Sequence, residues 1–273
     1  MSVRYPSMKH HFARVAPRYR QMRDLDMSAV REIARIVRQL AGSGLRLVIV
    51  DVGSGTGRYL EAVLAACGLD STRPCCAIRY DATREMLCDR PDSHARSGGT
   101  AMSVVGLAEF LPFATHTVDA ALALNAIHHF QVTRFLAEVG RVLRPDGKLI
   151  IYTRTPEQNR RTVWGRLFPR FADKEDRLFT EEELATALDQ TGAFGKVELL
   201  AISWSVETNL SRLIEQARCG AYSTFEFYSR REFQEAVETF AQSVLDHFAD
   251  PSRIVVQNDH LLAVATKKRR PRP

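Results

Sequence analysis

The stretch Asp51-Val-Gly-Ser-Gly-Thr-Gly57 follows the apolar run "LRLVIV" and leads into "RYLEAVLAACG". A strand thus reaches a turn bare of side chains and passes into a helix. Such a corner sets backbone N–H groups and a helix N-terminus at the carboxyl edge of an open sheet, where α/β folds bind ligands. Gly53, Gly55 and Gly57 let the chain turn tightly and approach a ligand without a Cβ in the way. The spacing is not the G-x-G-x-x-G of dinucleotide enzymes. A carboxylate at the strand end also suits a ligand bearing an ammonium better than a diphosphate, which favours S-adenosylmethionine over a nicotinamide or flavin dinucleotide. A second carboxylate, Asp81, closes the next strand-like run, "CCAIRY". There it can accept hydrogen bonds from the vicinal hydroxyls of a ribose, or cap the helix beginning in "DATREML".

Alternating segments must position these groups. Strand-like runs at "LRLVIV", "CCAIRY", "AMSVVG", "VDAALAL" and "GKLIIYT" are separated by helical patterns, as in a parallel sheet covered on both faces. Ahead of them, Met8, Phe12, Val15, Tyr19 and Met22 recur at helical steps despite Pro17, and a second helix runs from about Ser28 to Leu40, stopped by "AGSG". Residues 156–177 are rich in arginine and aromatics and show no period. Thr180 and Glu183 then form a capping box. The strand "KVELLAISW", two helical stretches and a last strand, "HLLAVAT", follow. The expected division is a helical cover over 1–43, a core over 44–205 and 258–267, a helical insertion or lid over 206–257, and a disordered basic tail over 268–273.

The chain has 273 residues, 45% hydrophobic and 26% charged, with a net charge of +6, the balance of a soluble globular protein. The tail "KKRRPRP" supplies much of the excess charge, either as a solubilising end or as a contact for an anionic surface. No apolar run reaches the roughly 20 residues that span a bilayer, and the N-terminus lacks an apolar leader, so the expected location is cytoplasmic. Five cysteines include no C-x-x-C pair, and adjacent Cys75 and Cys76 point to opposite faces of a strand. They read as free thiols, and no metal site is expected.

In order and spacing, "VIVDVGSGTGRYL", "YDATREML", "GLAEFLPFATHTVDAALALNAIHHF" and "FLAEVGRVLRPDGKLIIYT" resemble successive motifs of class I S-adenosylmethionine-dependent methyltransferases, nearest to the ubiquinone and menaquinone methyltransferase branch. The likeness covers residues 45–155. It implies a seven-stranded, mostly parallel sheet with helices on both faces and an antiparallel last strand. It also implies that Asp51, Gly53, Ser54 and Gly55 line the methionine end of the cofactor, Asp81 its ribose, Ala82 its adenine, and Asn125 the methionine moiety. Two positions depart from the pattern. Leu107 stands where an Asp often receives the adenine amino group, so adenine contact falls to apolar surface and to backbone near Ala108. Asp146 replaces a usual Gly in "RPDGK", a position where Asp tolerates positive φ.

Methyl transfer from a sulfonium asks the protein to align the acceptor and exclude water, with a general base needed only where the acceptor must lose a proton. His128 and His129 are candidates for that base or for packing. Tyr19 belongs to a segment resembling the N-terminal cover over the cofactor. Arg160, Arg161, Arg166 and Arg170, interleaved with Trp164, Phe168 and Phe171, offer charge and flat walls for a small acidic or aromatic acceptor, or else form a solvated face. Arg230 and Arg231 add to them. The alternatives are a tRNA wobble-uridine methyltransferase forming carboxymethyl esters, to which "NAIHHF" and "LRPDGKLIIYTRTPEQN" are also similar, a non-catalytic binding protein on the same fold, and a dinucleotide reductase.

Overall fold

A computed structural model describes residues 5–40, 46–68, 75–88 and 100–269. Seven strands form one sheet in the order β3-β2-β1-β4-β5-β7-β6. They are β1 (Leu47–Val52), β2 (Cys75–Asp81), β3 (Thr100–Val105), β4 (Val118–Leu124), β5 (Leu143–Thr153), β6 (Phe194–Thr208) and β7 (Ile254–Lys267). The first five run parallel, and β7 lies antiparallel between β5 and β6.

The central strands read as continuous apolar runs because both faces are buried. On one face Val50, Ile78, Ala121 and Ile151 meet Phe135, Leu136 and Val139 of α5 (Val132–Val142) and Leu184 and Leu188 of α9 (Glu181–Gln190). On the other, Ile49, Ala77, Leu122 and Ile150 meet α2 (Met27–Leu40) and α3 (Arg58–Cys67) through Val30, Ile33, Leu60 and Val63. The helix grouped with the cover in the sequence reading, α2, is therefore a full member of the layer on the sheet. Cys75 joins this second face while Cys76 packs toward the first, as strand alternation requires. The cysteines are free, and burial pushes the Cys67 thiol up to about 11 and Cys75 up to about 12.

The first helix, α1 (Tyr5–Met22), runs on through Pro17. Residues 156–177, without a period in sequence, form three short helices, α6 (Pro156–Arg161), α7 (Val163–Leu167) and α8 (Phe171–Lys174). Their aromatic side chains do not form an open wall. Trp164, Phe168 and Phe171 join Phe225 and Tyr228 and the helices α10 (Leu210–Arg218) and α11 (Arg230–His247) in a third core, capped by Ile254 and Val256 of β7. The helical region around this core thus draws on residues before β6 as well as after it. The stop at "AGSG" and the last four residues of the basic tail lie outside the described residues. Among those described, no helix is long and apolar enough to cross a membrane.

One buried contact fastens α2 to the sheet. Asp26 caps the helix, its Oδ1 accepting from the backbone of Ser28 (2.8 Å) and Ala29 (3.1 Å), while Oδ2 accepts from the Tyr152 hydroxyl at 2.6 Å. Asp26→Ala removes the cap and strands a buried hydroxyl. Urea unfolding should show a loss of about 2–4 kcal/mol, and a loss below about 0.5 kcal/mol would refute this role.

Candidate functional site

The corner between β1 and α3 is built on three left-handed glycines, with φ of 70° at Gly53, 54° at Gly55 and 78° at Gly57. Two of them also lack room for a side chain. A Cβ on Gly53 would lie 2.6 Å from the Ala126 Cβ, and one on Gly57 would lie 2.5 Å from Arg79 Cδ. The loop is pinned to the tip of β2. Gly53 and Ser54 donate to the Tyr80 carbonyl (2.7 and 3.2 Å), and Gly55 N–H donates to Asp81 Oδ2 (2.8 Å). Behind it, the buried guanidinium of Arg79 donates to Thr56 O (3.3 Å), Leu87 O (3.1 Å) and Ser103 Oγ (2.7 Å), tying the corner to α4 (Arg84–Cys88) and β3. The sequence reading missed Arg79, although it is a charged residue inside an otherwise apolar strand.

Asp51 ends up buried at 1% exposure, and its Oδ1 has no hydrogen-bond partner. Burial, and then the charge of Asp81, push its carboxyl well above the usual carboxylate range, with Arg79 opposing. Burial also raises Asp81, against the hydrogen bonds from Thr83 and Gly55. Asp81 caps α4, Oδ1 accepting from Thr83 N–H (2.8 Å) with a further bond from the Thr83 hydroxyl, and the carboxylate keeps lone-pair room for a ligand hydroxyl. An orphaned acceptor beside a second carboxylate fits a cationic, hydroxyl-bearing ligand. The unpartnered Ser54 Oγ adds one more polar group. These residues fit S-adenosylmethionine, whose ammonium would meet Asp51 and whose ribose would meet Asp81.

Gly106, which has no room for a Cβ against the Tyr80 ring, donates to Asp81 O (3.0 Å) and so sets Leu107 and Ala108 beside that carboxylate. Leu107 is 44% exposed and Ala108 is buried. Leu107 offers an exposed apolar face, whereas its carbonyl is already taken by Phe110 N–H and the Tyr80 hydroxyl. Ala82 follows Asp81 at the β2 tip, half-buried.

Asn125 closes β4 with φ 57° and its N–H on Tyr152 O (2.7 Å). It lines two adjoining cavities that share Arg23, Arg154 and Tyr222. One holds Tyr19, His128 and His129 on its wall. The other reaches from Arg58 and Tyr59 at the start of α3 to Trp164, Trp204, Asn258 and His260. The segments past β5 and at the start of antiparallel β7 supply Arg154 and Asn258 here, because an inverted last strand begins at the edge where the parallel strands end. Placement immediately after a strand is the signal that could have found Arg154.

Of the sequence-derived substrate residues, Trp164 reaches this cavity and Arg160 and Arg161 do not. Both arginines are exposed on α6, beside Glu157 at 3.8 and 3.6 Å, with Arg161 also on Asp259 at 3.1 Å. They lie on the outer face of a helix whose inner side, Gln158 and Asn159, is buried. Arg23, Arg58 and Arg154 are the guanidiniums that line the cavity instead.

Burial and the charge of Arg177 hold the histidine pair neutral, well below the ordinary imidazole range. Arg177 Nη1 lies 3.2 Å from His129 Nδ1, and a guanidinium can only donate, so that nitrogen is an occupied acceptor. His128 Nδ1 has no partner. Among the described residues no cluster could hold a metal ion.

Residues 50–151 match the model of the family described as "Methyltransferase domain". A relative from Micromonospora griseorubida named "Putative 23S rRNA (guanine-N(1)-)-methyltransferase" is 34% identical over 137 residues, 49% of this chain and 42% of that protein. "Probable tRNA methyltransferase 9B" of Homo sapiens is 31% identical over 121 residues, 42% of this chain and 23% of that protein. This chain spans less than half the length of either. A solved structure from Anabaena variabilis, titled "Putative methyltransferase from antibiotic biosynthesis pathway", superposes with a TM-score of 0.63 at 19% identity, covering 90% of this chain and 99% of that one. The chain carries a class I S-adenosylmethionine-dependent methyltransferase domain on the Rossmann-like fold of that class. The match singles out no branch within it.

Two outcomes test the site. Asp81→Ala should weaken S-adenosylhomocysteine binding by about 1–3 kcal/mol in calorimetric titration, and unchanged affinity would remove Asp81 from the ribose. Because burial and Asp81 make Asp51 hold a proton more readily than an exposed carboxylate does, a cationic ligand must displace it. Affinity should therefore rise as pH rises through the native Asp51 value, with proton release visible as a buffer-dependent heat. Absence of both would refute an ammonium on Asp51.

Proposed function

We propose that the chain transfers a methyl group from S-adenosylmethionine to a small acceptor, acidic or aromatic, seated in the cavity beneath α1 and the lid. The observation that carries this reading is the position of Asn125. It adjoins Ala126, which packs on Gly53 of the cofactor corner, and it lines both cavities. Bound there, the cofactor supplies a sulfonium-activated methyl group for in-line displacement. The chain's own part is to align and to exclude water. Tyr19 and Phe12 of α1 close one side of the cavity, and Tyr222 from the segment after α10 closes another. Where the acceptor must lose a proton, His128 is the base, since it lines the cavity and its Nδ1 has no partner.

The relatives named for rRNA and tRNA keep an RNA acceptor as the second reading. The aromatic lining of the cavity favours a small molecule, and Arg160, Arg161 and Arg170 are met by Glu157, Asp259 and Glu232 rather than left to track phosphates. Isotope-labelled cofactor, incubated with the protein and a metabolite extract, should yield a labelled small product by mass spectrometry. Label confined to RNA, with binding that falls steeply with salt, would move the acceptor to the second reading. Cofactor binding without any labelled product in either fraction would favour a non-catalytic binding protein. With the acceptor in hand, His128→Gln should slow single-turnover transfer about 100-fold or more while leaving S-adenosylhomocysteine affinity unchanged. An unchanged rate would remove the base from the mechanism.

A further inference from the structure

The cavity beyond Asn125 carries an unbalanced charge. Arg23, from the link between α1 and α2, Arg58, from the start of α3, and Arg154, just past β5, all line it. One carboxylate, Asp24, shares the wall, and it is engaged by Arg212 at 2.8 Å. In the adjoining cavity Glu175 is taken by Arg177 and Thr224. His260, stacked on Tyr152 and accepting from Trp204 Nε1 at its Nδ1 (3.3 Å), is held neutral by burial, with Arg154 and Arg23 adding to the effect.

The three guanidiniums are not equivalent. Arg58 is structural, its Nη1 donating to Arg23 O (3.0 Å) and Asp24 O (2.6 Å). Arg154 gives Nη2 to Asn258 Oδ1 (2.7 Å) and bonds the Tyr222 hydroxyl, yet its Nε is buried without a partner. Arg23 lies 4.0 Å over the Tyr222 ring, and its Nη1 is also buried without a partner. Buried donors are almost always satisfied, and a buried cation is costly until an anion meets it. Two unfilled donors on two cations at one junction are the complement of a planar oxyanion. Trp164, Trp204 and Tyr222 surround the rest of the space with ring surface.

We propose that Arg23 and Arg154 hold the oxyanion of a planar aromatic acceptor, a carboxylate or a phosphate ester, whose ring lies among Trp164, Trp204 and Tyr222. This rests on the methyltransferase reading above and names its substrate class. It also explains why the pocket is assembled from three parts of the chain. Arg23 belongs to the cover, Arg154 to the sheet and Tyr222 to the lid, so an anion at their junction draws all three together.

The test uses the full chain saturated with S-adenosylhomocysteine and reads binding of benzoate, phenyl phosphate and the neutral isostere benzamide by ligand-observed NMR. Benzoate or phenyl phosphate should bind, the stronger of the two showing which oxyanion is preferred. Benzamide should bind at least about tenfold more weakly. Arg23→Gln and Arg154→Gln should each lower affinity for the preferred anion about tenfold or more while retaining S-adenosylhomocysteine. Arg154→Lys, which keeps the charge and loses the planar fork, should recover part of it. Equal binding of benzoate and benzamide, or no binding of either anion, would overturn the proposal. So would exclusion of benzoate by S-adenosylhomocysteine, because the arginines would then serve the cofactor's own carboxylate. If S-adenosylhomocysteine itself does not bind, the methyltransferase reading fails. The benzoate–benzamide contrast on the unliganded chain then decides the anion site alone.

Discussion

Two carboxylates meet at the tips of adjacent parallel strands, Asp51 buried on β1 and Asp81 half-buried on β2, and the surrounding structure is arranged around that cost. Left alone, like charges in a low-dielectric setting push each other toward the protonated form. The chain relieves Asp81 with two backbone N–H donors and lets Arg79 act on Asp51 from below, but leaves one Asp51 oxygen with no donor. The glycine corner follows from the same need. Its N–H groups can reach the β2 tip because Gly53, Gly55 and Gly57 take a backbone that side chains would forbid, with Ala126 and Arg79 packed where their Cβ atoms would be. A cationic ligand bearing hydroxyls would complete the arrangement.

The rest of the molecule brings a cavity to that edge. An antiparallel β7 begins beside the ends of the parallel strands, so Asn258 and His260 join Asn125 and Arg154 there. The lid has its own aromatic core, centred on Trp164, Phe168, Phe225 and Phe240. Resting on Ile254 and Val256 of β7, it holds Tyr222 against Trp164. Anchored by Asp26 and Tyr152, α2 keeps Arg23 and Asp24 at the mouth of α3. The glycine corner is thus held by its backbone, and the cavity is lined by side chains lent by three separate layers.

Much of this was legible in the sequence. Strand and helix order, the thiols, the capping box at Thr180 and the glycine corner followed from local periodicity and turn chemistry, which act over a few residues. The role of residues 156–171 did not follow. Arginines and aromatics in an aperiodic stretch suit a binding wall and a small core equally well, and only packing against α10 and α11 decides between them. Arg160 and Arg161 turned outward for that reason, while Trp164 faces both the lid core and the cavity. Arg23 and Arg58 were illegible for another reason. Each sits at a helix boundary where a charged residue is ordinary, and what sets them apart is long-range convergence on Arg154. Among the two histidines, the distinction between an occupied and an unoccupied nitrogen depends on Arg177, distant in sequence from both.

A crystal structure of the chain with S-adenosylhomocysteine tests the central claim most directly. The account predicts its amino group within hydrogen-bonding distance of Asp51, both ribose hydroxyls on Asp81, and the sulfur pointing past Asn125 into the cavity. A ligand lodged elsewhere, or a dinucleotide filling the corner in its place, would contradict it.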